Sequence, residues 1–198
     1  VTLPAYVRSL PVASFTATDE CVYDAIATAN TSNIGIGTMT YEWDFGDGSP
    51  IDVNTAPTHQ YATAGNYTVT LTATSNFNCV HTVDAVVDIY EKPNADFLVT
   101  AECVSFANAY TDQSAFLGGN VNGDVINSWK WDTDLSGTPN YVTQSPSHTY
   151  PAEGIYTTEL IVETAFGCSD TVSYPVTVYP EPFVNFNFGN LCFNDLTD

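Results

Sequence analysis

An internal repeat is the feature that most constrains how this chain folds. The segment 11–15, PVASF, recurs at 93–97 as PNADF and at 182–186 as PFVNF. Each copy is followed by a cysteine six residues after its phenylalanine, at Cys21, Cys103 and Cys192. Repetition at this spacing indicates one structural unit copied along the chain. We predict two full repeats and the beginning of a third.

The interior of the repeat is duplicated as well. Five positions recur as a shared signature: they are Trp43, His59, Tyr61, Gly65 and Tyr67 in the first copy and Trp131, His148, Tyr150, Gly154 and Tyr156 in the second. The second copy is six residues longer between its cysteine and tryptophan, in a stretch rich in glycine and asparagine. The predicted segments are a linker or the end of a preceding module (1–10), domain 1 (11–91), domain 2 (92–180) and a truncated third repeat (181–198).

The residue pattern inside each repeat has a period of two. Tyr67, Val69 and Leu71 alternate with threonines, which indicates strands with one buried and one solvated face. No segment has the apolar spacing of an amphipathic helix. Several short strands separated by turn signals predict an all-β sandwich for each repeat.

The charge of the chain narrows the classes of partner. Aspartate and glutamate total 23 against 3 lysines and arginines, for a net charge of −20. Three cations cannot neutralise a phosphate backbone, so nucleic acid is excluded as a partner, and anionic membrane surfaces are disfavoured. No apolar stretch approaches the roughly 20 residues that span a bilayer, which argues against direct membrane insertion.

The segment 43–48, WDFGDG, resembles the signature of the PKD (polycystic kidney disease) domain family. The P-x-H-x-Y and G-x-Y-x-V-x-L segments of that family follow it in order. The second copy departs at 133–137, where the hairpin glycines are rearranged. The resemblance implies tandem, seven-stranded, immunoglobulin-like sandwiches arranged end to end. It also implies an extracellular, non-enzymatic role.

The P-x-A-x-F start and the cysteines resemble arrays in large type IX-secreted surface proteins of Bacteroidota, some of them gliding adhesins. We therefore predict a stalk or filament segment of such an adhesin, with neighbouring repeats, surface proteins or polysaccharides as partners. The short joints at 89–93 and 178–182 contain proline and would restrict bending. The alternative is an accessory module of a secreted protease or polysaccharide-degrading enzyme, which an exposed aromatic row would favour. Tyr110, Phe116 and Tyr141 are candidates for such a row, and core packing or a place at the domain joint is the other role for most of them.

The cysteines occupy matching positions in the repeats. We predict the disulfides Cys21–Cys79 and Cys103–Cys168, with the partner of Cys192 outside the chain, and therefore an oxidising compartment. Buried free thiols are the alternative. Metal binding by cysteine is less favoured, because no short C-x-x-C spacing exists.

No constellation in the sequence supports catalysis. His59 and His148 share one repeated position, which is typical of a role in the fold rather than in chemistry. We expect no cofactor except calcium, for which Asp44 and Asp47, and Asp132 and Asp134, lie close together in turns. Acids that cap turns on a negative surface are the alternative explanation.

Overall fold

The computed structural model describes residues 8–186, and this part of the chain contains strands and no helix. No helix in it is therefore long and apolar enough to cross a membrane. The first seven strands are β1 (Phe15–Ala17), β2 (Glu20–Cys21), β3 (Ala25–Asn30), β4 (Met39–Asp44), β5 (Thr58–Gln60), β6 (Gly65–Ser75) and β7 (Val80–Tyr90). The next six are β8 (Phe97–Val99), β9 (Ala107–Asp112), β10 (Ile126–Asp132), β11 (Ser147–Thr149), β12 (Gly154–Thr164) and β13 (Ser169–Val178).

The first seven strands form one sandwich, which we call domain 1. One sheet has the order β1-β3-β5 and the other the order β2-β7-β6-β4. All neighbours pair antiparallel except β2, which lies parallel to the end of β7 and pairs Cys21 with Tyr90. The predicted alternation holds in β6, where Val69, Leu71 and Ala73 are buried between partly exposed threonines.

Domain 2 repeats this arrangement with the sheets β8-β9-β11 and β10-β12-β13. Its counterpart of β2 is reduced to a single parallel bridge between Cys103 and Tyr179. The predicted tandem of all-β, immunoglobulin-like domains is confirmed, with seven strands in domain 1 and six strands plus this bridge in domain 2.

A tryptophan lies at the centre of each core. Trp43 and Trp131 are fully buried, and each donates its indole N–H to a backbone carbonyl, of Asn54 and Thr143 respectively, at 3.0 and 2.9 Å. Burial of such a large ring is favourable only if its polar N–H finds a partner. The loop that follows β4 or β10 supplies that partner in both domains.

A buried tyrosine fastens the same loop from the other side. The Tyr61 hydroxyl donates to the Phe45 carbonyl and the Tyr150 hydroxyl to the Thr133 carbonyl, both at 2.9 Å. Each ring also stacks on the next signature tyrosine, Tyr67 or Tyr156, with 4.1 Å between centroids. The tryptophan and tyrosine of each signature therefore hold the loop that follows β4 or β10 against the core.

Candidate functional site: the disulfide-closed joint between the domains

The disulfide of this structure crosses the joint between the two domains. Cys21 of domain 1 is bonded to Cys168 of domain 2, with Cα atoms 5.7 Å apart, whereas Cys79 and Cys103 are free thiols. The predicted pairs Cys21–Cys79 and Cys103–Cys168 are therefore wrong. Cys192 lies outside the described residues.

Strand length explains why the cysteines of one domain do not pair. Cys21 lies beside Tyr90, at the end of β7, while Cys79 immediately precedes the start of that strand. Eleven residues of β-strand span roughly 35 Å, far beyond the reach of a disulfide. Cys103, beside Tyr179, and Cys168 are separated in the same way by β13. The two cysteines of each repeat therefore occupy opposite poles of the domain.

The cysteine of domain 2 is presented by a hairpin tip. Between β12 and β13 the chain turns through Phe166 and Gly167, and the positive φ of Gly167 (91°) suits a residue without a Cβ. The Cys168 N–H donates to the Thr164 hydroxyl at 3.1 Å, and the Thr164 N–H donates to the Cys168 carbonyl at 2.8 Å. These bonds fix the direction of the cysteine before it meets domain 1.

An aromatic stack covers the disulfide. The ring of Phe166 lies on Tyr90 with 4.0 Å between centroids and 10° between planes. Cys21, Tyr90 and Cys168 form a small buried cluster of their own, separate from the cores of the two domains. Because this cluster contains residues from both domains, separating the domains would expose apolar surface as well as break a covalent bond.

The extra residues of domain 2 also contact the joint. The Glu91 carboxylate in the linker accepts hydrogen bonds from the backbone N–H groups of Gly118 and Asn120. The Asn122 side chain donates to the Ile89 carbonyl at 2.8 Å. The longer loop of the second repeat therefore supports the linker, a role that its length and composition alone did not indicate.

One ion pair links the linker to domain 1. Lys92 Nζ lies 2.8 Å from Asp24 Oδ1, and both side chains are more than one-third exposed, so the pair contributes little by itself. Beside it is an open cleft of about 480 Å³, with walls from both domains that include Tyr23, Lys92 and Leu117. The cleft owes its shape to the relative position of the domains.

The signature histidines pack within their own domains. His59 stacks on Phe45 with 4.1 Å between centroids, and its Nε2 lies 2.8 Å from Asp47 Oδ2. His148 contacts Tyr150 edge-on and lies 3.0 Å from the Tyr141 hydroxyl through Nδ1. Burial lowers the pKa of His148, against a smaller opposing effect of Asp134. Both rings therefore have packing partners within the fold.

The candidate calcium ligands accept hydrogen bonds within their turns. Asp44 accepts from the Gly46 N–H at 2.9 Å, and Asp132 accepts from the Gly137 N–H at 2.7 Å. Burial opposes ionisation of Asp47, but bonds from Ser49 and the His59 contact outweigh it and lower its pKa to about 2. Within residues 8–186, no group of three or more His, Cys, Asp or Glu side chains is arranged to hold a metal ion. Calcium at Asp44, Asp47, Asp132 and Asp134 stays a prediction.

The aromatic residues considered for carbohydrate binding do not form an exposed row. Tyr110 is buried in the core of domain 2, and Phe116 and Tyr141 are partly buried. Sequence reasoning missed Tyr90 and Phe166, which close the joint. A signal for them exists, because a tyrosine stands three residues before Pro93 and Pro182, and a phenylalanine two residues before Cys79 and Cys168.

Comparison with known proteins identifies the repeat. A family model described as PKD domain matches residues 8–89 and 98–178. No curated protein matched the sequence.

Solved structures resemble one or both domains. The PKD1 domain of Vibrio anguillarum Epp is 30% identical, covering 42% of this chain and 96% of that one, with a TM-score of 0.39. The PKD1 domain of the Vibrio cholerae metalloprotease PrtV is 34% identical, covering 40% and 96%, with a TM-score of 0.38. The fibronectin(III)-like modules of Clostridium thermocellum CbhA are 13% identical, covering 88% and 100%, with a TM-score of 0.45.

Proposed function

The chain belongs to the PKD domain family, and from that premise we propose that it is a non-catalytic, semi-rigid stalk segment of a large protein exported to the cell surface. PKD domains occur in extracellular proteins and are generally non-catalytic modules. The single observation that carries the proposal is the Cys21–Cys168 bond, which joins one domain to the next. A role in a gliding adhesin of the type IX-secreted class is the narrower form, supported by the cysteine-bearing repeat start.

The contacts at the joint explain the stiffness that the proposal requires. Two domains connected only by a short linker would be expected to move relative to each other. Here the linker is held on one side by the loop that binds Glu91, and the disulfide closes the joint on another. Bending would therefore break several contacts at once. A disulfide in this role also favours an oxidising compartment, in agreement with export.

The partners proposed for the segment are first of all neighbouring repeats of the same chain. Surface proteins or polysaccharides are proposed as ligands of the complete protein. The net charge of −20 would keep a long array soluble and extended, because like charges along it repel one another.

Single-molecule stretching of the oxidised chain from its two termini tests the joint. The bond spans a sequence separation of 147 residues, so roughly 500 Å of chain stays unavailable until it is reduced. We expect Cys168→Ser to lengthen the fully stretched chain by that amount and Cys79→Ser to leave it unchanged. Equal lengths for the oxidised parent and Cys168→Ser would contradict the proposal.

The complete gene and the intact cell provide the test of the surface role. We expect many further repeats in the open reading frame, and labelling of intact cells by an antibody against this tandem. One catalytic domain accompanied by few repeats would instead favour an accessory module of a secreted protease or polysaccharide-degrading enzyme.

A further inference from the structure

The free thiol of Cys103 lies in the same backbone arrangement as the bonded Cys21. The Val22 N–H donates to the Tyr90 carbonyl and the Val104 N–H donates to the Tyr179 carbonyl, both at 2.8 Å. Two residues after each cysteine the backbone has a positive φ, of 67° at Tyr23 and 72° at Ser105. The pole of domain 2 thus already has the conformation that receives a disulfide in domain 1.

The two poles differ in what covers them. Tyr90 is 9% exposed because Phe166 of the following domain lies on its ring, whereas the equivalent Tyr179 is 51% exposed. Phe106, close to Cys103, is 59% exposed. The pole of domain 2 therefore presents an aromatic ring beside a thiol, in the arrangement that a hairpin tip covers in domain 1.

The other end of the tandem, in domain 1, has a hairpin tip of the same kind as the one that carries Cys168. The Cys79 N–H donates to the Ser75 hydroxyl at 3.1 Å, and the Ser75 N–H donates to the Cys79 carbonyl at 2.8 Å, as at the tip that bears Cys168. Phe77 precedes Cys79 by two residues, as Phe166 precedes Cys168. The Arg8 guanidinium lies 4.1 Å from the centroid of Phe77. Arg8 stands three residues before Pro11, as Tyr90 stands before Pro93, so the aromatic contact of the joint has a cation–π counterpart here.

We propose that Cys103 and Tyr179 form a docking site for the hairpin tip of another repeat of the same kind, whose cysteine forms a disulfide with Cys103. Cys79 and Phe77 are the tip that makes the reciprocal contact with a preceding repeat. The bonded pair Cys21–Cys168 in this chain is the independent observation that identifies the partner of each thiol. The inference rests on the proposed function, in which further repeats are the neighbours of these domains.

The bond forms by oxidation of two thiols. The Cys103 thiol and the thiol of the incoming tip lose two protons and two electrons and become one S–S bond. A small-molecule disulfide accepts them through thiol–disulfide exchange and leaves as two thiols. An array closed in this way would have one covalent bridge across every joint and none within a domain.

A three-domain chain tests the proposal directly. Residues 1–181 are joined to a second copy of residues 93–198, so that Pro93 of the added copy replaces Pro182 and the joint keeps its length. Cys168→Ser in the original domain 2 and Cys103→Ser in the added copy leave one Cys103–Cys168 combination, and it spans the new joint. After oxidation with glutathione disulfide, the monomer is cleaved at acidic residues and its linked peptides are identified by mass.

We expect a peptide pair that joins Cys103 to the Cys168 of the added copy and is lost on reduction. Complete alkylation of Cys103 without reduction would overturn the proposal. The same three-domain chain with all its cysteines reports on the Cys21–Cys168 bond separately. If Cys21–Cys168 forms and the new bond does not, this inference alone fails, whereas loss of both would remove the basis of the proposed stalk.

Discussion

The two domains share a backbone but fill the space beside the core tryptophan differently. In domain 1 the residue two positions after Trp43 is Phe45, which is buried and parallel to Trp43, while the facing sheet contributes the small Thr28. In domain 2 the equivalent residue is Thr133, and the facing sheet contributes Tyr110, whose ring lies 5.3 Å from Trp131. The ring that differs between the domains comes from the loop after β4 in domain 1 and from β9 of the facing sheet in domain 2. Both domains therefore fill the space beside the tryptophan with an aromatic ring, although different sequence positions supply it.

The ring that Tyr110 contributes to the core of domain 2 also brings a hydroxyl group into that core. The Tyr110 hydroxyl lies 2.7 Å from the Tyr150 hydroxyl and 3.0 Å from the hydroxyl of Thr158, which replaces Val69 of domain 1. All three side chains are buried. Domain 1 has the apolar Val69 at this place, and its buried Tyr61 hydroxyl bonds a backbone carbonyl, whereas domain 2 has a closed network of three hydroxyls, which is stable only while each member keeps a partner.

Giving domain 1 the core residues of domain 2 should change its unfolding free energy more than any other substitution considered below. We expect Phe45→Thr to lower the unfolding free energy of domain 1 by about 3 kcal/mol, because it leaves a cavity beside Trp43. Adding Thr28→Tyr should restore at least half of that loss, since it copies the solution of domain 2. Urea titration with hydrogen exchange resolved by domain measures both. Simple addition of two destabilising effects would show that the cores are not interchangeable.

Exchanging Val69 of domain 1 and Thr158 of domain 2 should change the unfolding free energies less, and by different amounts in the two domains. Val69→Thr buries a hydroxyl in domain 1 without the Tyr110 hydroxyl that Thr158 contacts in domain 2, with an expected loss of about 2 kcal/mol. Thr158→Val should cost domain 2 about 1 kcal/mol, because the Tyr150 hydroxyl keeps its bond to the Thr133 carbonyl. The same titration compares them. Losses of equal size would mean that the hydroxyl network of domain 2 does not distinguish the two cores.

Much of this comparison could be predicted from the sequence, and part of it could not. The repeat located Trp43, Trp131 and the alternation of β6, since these follow from local periodicity. It could not decide between core packing and an exposed position for Tyr110, because that depends on Thr133 being small in the loop that follows β10. The repeat also showed that Cys21 and Cys103 occupy equivalent positions. That equivalence does not decide whether the partner of Cys21 belongs to the same repeat or to the next one. That choice is set by the length of β7, which separates the poles of the domain.

The smallest expected effect is on the pH dependence of the unfolding free energy of domain 1. The pKa of Asp47 is lowered in the folded protein from 3.8 to about 2, so its contribution is present above pH 4 and is lost as the pH falls toward 2. We expect Asp47→Asn to flatten the decline in unfolding free energy across that interval, by less than about 1 kcal/mol. Denaturant titrations at several pH values test this, with Glu153→Gln as a variant that removes one exposed charge from domain 2. A profile unchanged by Asp47→Asn would mean that the bonds of the Asp47 carboxylate to Ser49 and His59 do not contribute to stability.

The sequence separation across the joint also has a consequence in time. Cys21 emerges from the ribosome before its partner, which follows 147 residues later, and at ordinary synthesis rates this is a delay of roughly seven to thirty seconds. Cys21 therefore has to stay reduced until the hairpin tip that carries Cys168 has been made and placed against domain 1. The covalent bond then forms last, and its presence records that two successive domains have both reached their native structures.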